Sequence, residues 1–113
     1  MANKSKKVLV TGGAGIVGCN IVKKLLERNC EVVVLDNLSA YPFDYLNEFG
    51  VGRMADVEFV RGDIRDEILV RKLSKKVEVV IHAAAYADVG ACVRYPELAF
   101  EVNVAGTQKV LDA

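Results

Sequence analysis

The sequence predicts an α/β fold, a doubly wound parallel sheet with helices on both faces. Three observations predict it. Four short apolar runs rich in Val, Leu and Ile read as buried strands: "KVLVT", "EVVVLD", "VEFVRGD" and "VEVVIH". Stretches with helical spacing of apolar residues separate most of them. Strands alternating with helices make a parallel sheet, and right-handed crossovers then lay helices on both of its faces.

The elements follow in order. Lys7 to Thr11 is the first strand, ending at a glycine. Gly15 to Arg28 carries Val17, Ile21 and Leu25 at fourfold spacing, with Val22 and Leu26 beside them, which predicts one face of a helix. Asn29 is its expected stop. Glu31 to Asp36 is the second strand, and Val57 to Asp63 the third. Residues 37 to 56 hold a Tyr-Pro, two glycines and mixed polarity, and predict a loop with a short helix near Phe43 to Phe49. Asp66 to Lys75 predicts a shorter amphipathic helix and Val77 to His82 the fourth strand. Pro96 suits the first turn of a last helix, which runs to Ala113 with Phe100, Val104, Thr107 and Leu111 on one face.

Composition narrows the function. At 113 residues the chain is one domain or part of one. Basic and acidic residues number 15 each, so the charge balance makes no case for nucleic acid or a membrane surface as partner. No run is apolar and long enough to span a bilayer, and the first apolar stretch is interrupted by Gly12, Gly13 and Gly15, unlike a signal peptide. Cys19, Cys30 and Cys92 are odd in number, widely spaced and free of any C-x-x-C pattern. They read as reduced thiols, with no metal site and a cytoplasmic location expected.

The stretch "VTGGAGIVG" follows the first strand and opens the first helix. In Gly12-x-x-Gly15-x-x-Gly18 the first glycine allows a tight turn. The second lets backbone approach a ligand, and the third lets the helix pack on the sheet. The helix then aims its first N–H groups and positive dipole end at the loop, an arrangement suited to pyrophosphate. A strand-to-helix turn without a ligand would carry a similar pattern. Asp36 adds specificity: it ends the second strand, about 20 residues past the glycines, where a carboxylate accepts both hydroxyls of an adenosine ribose. It also repels a 2′-phosphate, which favours NAD over NADP. A cap within "DNLS" is the plainer reading of Asp36. Together these features predict a Rossmann-like dinucleotide-binding sheet.

"TGGAGIVG", "LDNLS", "GDIRD", "VIHAAA" and "NVAGT", in this order and across nearly the whole chain, resemble the NAD-dependent epimerase/dehydratase family. Its members are extended short-chain dehydrogenases acting on nucleotide sugars. The resemblance implies that the N–H groups of Ile16 and Val17 face the pyrophosphate, and that Asp36 holds the adenosine ribose beside Asn37 and Ser39. It implies that Asp63 accepts from the adenine amino group, with the Ile64 backbone adjacent. Ala83, Ala84 and Ala85 would line the nicotinamide side, and Asn103 would lie under the cofactor. From the residues alone, Asp63 also suits a turn cap, Asn103 a bond to loop backbone, and His82 a satisfied core histidine. One departure is Ala87, where members of the family commonly place a lysine near the nicotinamide.

The family's chemistry implies a Tyr-x-x-x-Lys pair, in which the lysine lowers the phenol pKa so that it serves as base. Four residues after Tyr41, Tyr45, Tyr86 and Tyr95 stand Tyr45, Phe49, Gly90 and Ala99, and none is lysine. No helix stop follows "NVAGTQKVLDA", and the fourth strand would be an edge. The expectation is the first half of an NAD-binding domain, residues 1–113, truncated after about four strands and inactive alone, with catalytic and substrate-binding parts absent. A nucleotide sugar would be a partner only in a full-length parent. A similar pattern of glycine loop, "GDI" and "NV-GT" also occurs in the 3β-hydroxysteroid dehydrogenase/isomerase family, and a non-catalytic dinucleotide sensor is a third reading.

Overall fold

The computed structural model of the chain describes residues 6–39 and 57–113. The short helix expected near Phe43 to Phe49 lies outside them. Strands β1 (Lys7–Thr11), β2 (Glu31–Asp36), β3 (Val57–Arg61) and β4 (Val79–His82) form one sheet in the order β3-β2-β1-β4. Every neighbouring pair is parallel, with Val10 opposite Val34 on one side and Ile81 on the other.

Strand alternation divides the core into two layers. Val8, Val10, Val32 and Val34 point to helix α1 (Ile16–Glu27), where Cys19, Val22 and Leu26 meet them. Leu9, Val33 and Leu35 point to the opposite face and pack on Ile64, on Val70 and Leu73 of helix α2 (Glu67–Ser74), and on Val110. Side chains at i and i+1 of a strand serve opposite faces, so a run apolar on both must be covered on both. That is the doubly wound arrangement the sequence predicts.

The winding reverses between β1 and β4. From β1 the chain steps to β2 and β3 on one side, then returns to place β4 on the other. In such sheets a crevice opens at this point, beyond the carboxyl ends of the strands. Here it lies beyond Thr11 and His82, which pair directly across the sheet.

Helix α1 ends as the sequence predicts. Arg28 caps it and Asn29 takes a left-handed φ of 61°. The Asn29 N–H donates to the Leu26 carbonyl and the Cys30 N–H to the Leu25 carbonyl, the paired closure of a Schellman turn. Its buried stripe, however, is Gly18, Cys19, Val22 and Leu26, not the one centred on Val17, Ile21 and Leu25. Val17 is 68% exposed, because the helix packs its small residues against the loop that feeds it.

Three boundaries also differ from the sequence reading. β3 stops at Arg61, and the chain turns at Ile64 and Arg65, where the Asp63 side chain takes up the Arg65 N–H. β4 begins at Val79 because the Lys76 and Val77 N–H groups close the end of α2 on Leu73 and Ser74 carbonyls. A short helix α3 (Val89–Arg94), capped by Asp88 accepting from the Ala91 N–H, precedes the last one.

The last helix is not uniform. Helix α4 (Pro96–Phe100) passes into a π-helical stretch, Glu101–Gly106, and then into α5 (Thr107–Asp112). The wider turn shifts the phase of the following residues. Gly106 and Val110 therefore face the core, while Phe100, Val104 and Leu111 stand exposed at 61%, 53% and 74%. Gly106 permits this approach: a Cβ there would lie 2.7 Å from Ile64 Cδ1.

Candidate functional site

The glycine loop is as tight as its sequence implies, and each glycine has its own reason. Gly12 has a φ of +72°, and a Cβ on it would lie 2.7 Å from the Ala84 Cα and N atoms. Glycine is thus required there both by its backbone angle and by the chain that follows β4. A Cβ on Gly18 would strike the Gly12 carbonyl oxygen and lie 2.7 Å from the Gly12 carbonyl carbon. Gly13, which the motif reading passed over, sits on Val34, whose two methyl carbons would be 2.8 Å from its Cβ.

Gly15 is different. Its φ of −81° and ψ of 177° are extended angles open to any residue, so its own backbone conformation does not call for glycine. It is the N-cap of α1, which has no side-chain cap and no acidic residue in its first turn. The positive end of the helix and the first N–H groups, those of Ile16 and Val17, thus have no capping side chain and no acidic residue of their own turn. Ile16 is 49% exposed beside the exposed Val17.

Asp36, half-buried at the end of β2, is fastened to this loop. Its Oδ2 accepts from the Ala14 N–H at 3.0 Å and its Oδ1 from the Leu38 N–H at 2.8 Å. The cap reading of Asp36 is thus real, yet it fills only half of the carboxylate, because each oxygen has about two lone-pair positions. Asn37 repeats the turn one residue on, with its Oδ1 accepting from the Ser39 N–H at 3.0 Å. Its Nδ2 donates to Asp63 Oδ2 at 3.1 Å, which ties the ends of β2 and β3 together.

Asp63 is more fully engaged. Arg65 donates to its Oδ1 from the backbone N–H at 2.8 Å and from Nε at 3.0 Å. Arg65 also donates to its Oδ2 from Nη2 at 2.8 Å. With Asn37 this makes four hydrogen bonds, which occupy all of the carboxylate's lone-pair positions. The Arg65 side chain, followed by the Arg65 and Asn37 donors, holds the Asp63 carboxyl down at about 2. Ile64 beside it is buried under Gly106. A cavity of about 550 Å³ opens past Asp63, lined by Arg65, Asp66, Glu101, Ala105 and Lys109. No glycine-loop residue lines it, and its charged groups are partnered: Arg65 with Asp63 and Glu101, Lys109 with the Arg65 carbonyl.

On the far side of the crevice Ala83, Ala84 and Ala85 leave β4 against the glycine loop. Thr11, fully buried, receives the Ala83 and Ala84 N–H groups on its Oγ1 at 3.1 and 3.2 Å. Asn103, in the π-helical stretch, clamps the next turn: its Oδ1 accepts from the Tyr86 N–H at 2.7 Å and its Nδ2 donates to the Tyr86 carbonyl at 3.0 Å. Thr11 and Arg65 are the residues that sequence reasoning missed. Thr11 could have been found as the polar residue that ends an otherwise apolar strand; nothing local marks Arg65.

Among the described residues no group of side chains could hold a metal ion. Also among the described residues, no helix is long and apolar enough to cross a membrane. Cys19, Cys30 and Cys92 are not joined in disulfides.

A doubly wound parallel sheet, with a glycine loop and an uncapped helix start at its reversal point, defines the class of dinucleotide-binding α/β proteins. The chain belongs to the NAD dependent epimerase/dehydratase family, whose family model matches residues 8–113. It is 43% identical over 112 residues to UDP-glucose 4-epimerase of Streptomyces lividans, a match covering 96% of this chain and 32% of that protein. An epimerase from Methanothermobacter thermautotrophicus superimposes with a TM-score of 0.84 at 38% identity, over 96% of this chain and 31% of that one. The Stenotrophomonas maltophila UDP-glucose 4-epimerase, crystallised with NAD and formylated UDP-arabinopyranose, gives 0.85 at 30% identity, over 95% and 32%. The chain thus spans about a third of the length of these relatives.

Proposed function

We propose that this chain supplies the NAD-binding part of a nucleotide-sugar epimerase or dehydratase and does not complete the reaction alone. The carrying observation is Gly15: a glycine whose own dihedrals do not require it, at an uncapped helix start, within a loop fastened to Asp36. A ligand pressing on the backbone gives that missing side chain a purpose.

The geometry supports the following roles. The N–H groups of Ile16 and Val17 hold the pyrophosphate at the mouth of α1, with Gly12, Gly15 and Gly18 keeping side chains out of its way. Asp36 keeps one lone-pair position on each oxygen for the two ribose hydroxyls, while its charge disfavours a 2′-phosphate. Asn37 and Ser39 shape the turn beside it. An adenine amino group reaching Asp63 has to displace a donor already there, and the neutral Asn37 amide yields more readily than the Arg65 pair. The Ile64 backbone lies adjacent to the adenine, its side chain being buried in the core. Ala83, Ala84 and Ala85 leave a flat wall for the nicotinamide, and Asn103 fixes the Tyr86 backbone behind it. When bound, NAD supplies a hydride acceptor. What this chain lacks is a base prepared by lysine, since none of its tyrosines belongs to a Tyr-x-x-x-Lys pair.

Calorimetric titration of the chain with NAD and with NADP tests the binding, and incubation with NAD and UDP-sugars tests the inactivity. The expected result is saturable binding that favours NAD, with no sugar interconversion. Equal affinity for the two cofactors overturns the role of Asp36. Turnover that survives repurification overturns the inactivity, because loss of a general base alone costs about 10²- to 10⁴-fold in rate.

A further inference from the structure

His82 stands where the sheet reverses, opposite Thr11 at the last rung of the β1–β4 ladder. Its two ring nitrogens each meet a hydroxyl: Nδ1 lies 2.6 Å from Thr11 Oγ1 and Nε2 2.9 Å from Thr107 Oγ1. The direction of both bonds follows from their surroundings. Thr11 Oγ1 accepts from the Ala83 and Ala84 N–H groups, which takes both of its lone pairs. Its one proton is therefore donated to Nδ1, which must be bare. The ring then carries its proton on Nε2 and donates to Thr107 Oγ1, which donates in turn to the Asn103 carbonyl at 2.7 Å. One chain of donors runs from the Ala83–Ala84 backbone through Thr11, His82 and Thr107 to Asn103, whose side chain holds Tyr86.

We propose that His82 is a positioning residue for the dinucleotide site: as the neutral Nε2–H tautomer it locks the Ala83–Tyr86 backbone between β1 and the last helix, and its protonation unlocks that backbone and weakens dinucleotide binding. The inference rests on the cofactor reading above for its last clause only. A protonated ring would aim an Nδ1–H at an oxygen with no lone pair to spare, so the Ala83 or Ala84 N–H would have to give way. Ala83 keeps a second acceptor in the Thr11 carbonyl at 3.0 Å, so the Ala84 N–H is the one left exposed to loss. β1 meets the ring with Thr11 and the last helix meets it with Thr107, both uncharged. Burial, with no charged neighbour contributing, lowers the ring's pKa from 6.5, so the unlocking falls on the acid side of that value.

Imidazole ¹⁵N shifts of the chain at pH 7.5, together with amide exchange of Ala84 and Tyr86 between pH 7.5 and 5, test the lock without any ligand. The expected pattern is a bare Nδ1, a protonated Nε2, and loss of Ala84 protection as the ring titrates, beyond the ordinary pH dependence of exchange at other core amides. His82→Asn places an amide oxygen near the Nδ1 position and does not titrate in this range. It should retain Ala84 protection throughout, whereas Thr11→Val should lose it at every pH and Thr11→Ser should restore it. NAD titrations across the same range should weaken below the ring's pKa by up to about tenfold per pH unit in the parent and stay level in His82→Asn. An Nδ1–H tautomer, or Ala84 protection that ignores the ring's titration, overturns the lock. A normal lock with the same pH profile of binding in parent and His82→Asn overturns the coupling. A normal lock with no NAD binding at any pH overturns the cofactor reading, and with it the coupling, while leaving the lock in place.

Discussion

Gly18→Ala isolates the contact on which the loop geometry depends. Gly18 lies in the first turn of α1, and its added Cβ would strike the Gly12 carbonyl oxygen and stand 2.8 Å from the Gly13 Cα. Its nearest neighbours are all backbone, so no side chain can swing aside, and α1 must lift from the loop. Overpacking of this kind costs about 1–3 kcal/mol, and a wholly backbone clash belongs near 3. The helix propensity of alanine returns about 1 kcal/mol, leaving a net loss of about 2 kcal/mol. Gly90→Ala is the matched comparison: it too lies in a first helical turn, but its Cβ meets only Asp88 Oδ1 at 3.4 Å, an ordinary contact. Urea unfolding followed by circular dichroism reads both. With a slope of about 2 kcal/mol per molar, Gly18→Ala should lower the midpoint by about 1 M, and Gly90→Ala, with the propensity gain and no clash, should raise it by up to about 0.5 M. If Gly18→Ala is as stable as the parent, propensity has prevailed and the helix does not rest on the loop as described.

Further substitutions separate binding from folding. Gly15→Val should abolish NAD binding while leaving the far-ultraviolet circular dichroism of the parent; undiminished binding would make the loop only a turn. Asp36→Asn removes the charge but keeps an acceptor, and should bring NADP closer to NAD by roughly tenfold, which competitive titration measures. Asp63 binds its proton more weakly folded, at about 2, than unfolded, at 3.8. Its contribution is therefore complete above pH 3.8 and is lost as pH falls from there towards 2. The gap corresponds to about 2 kcal/mol, and the 38% exposure of the Arg65 side chain reduces it to about 1 kcal/mol. Acid unfolding of the parent and Arg65→Leu should differ in slope over that interval.

What the sequence made legible was whatever depends on neighbours close along the chain. β1 and β2 fall where the apolar runs put them, and Asn29 ends α1, because strand burial and a left-handed cap are local matters. The core stripe of α1 lies one residue from the expected one because Gly18, expected to let the helix pack on the sheet, packs directly on the backbone of Gly12 and Gly13, a contact that spacing does not record. The π-helical stretch was invisible, since nothing local marks it and the contact it accompanies, Gly106 on Ile64, spans more than forty residues. The same limit applies to the site. Asp36 announced itself by its place after an apolar run, but the occupation of Asp63 by Arg65 and the role of Thr11 depend on side-chain directions that no spacing records.

The central claim is that this crevice holds NAD, and amide shifts of ¹⁵N-labelled chain on addition of NAD test it most directly. The account predicts saturable shifts at Gly15 to Gly18, at Asp36 to Ser39, at Asp63 and Ile64, and at Ala83 to Tyr86, with the amides of α2 unmoved. Shifts confined to other surfaces, or none at the glycine loop at saturating NAD, would contradict it.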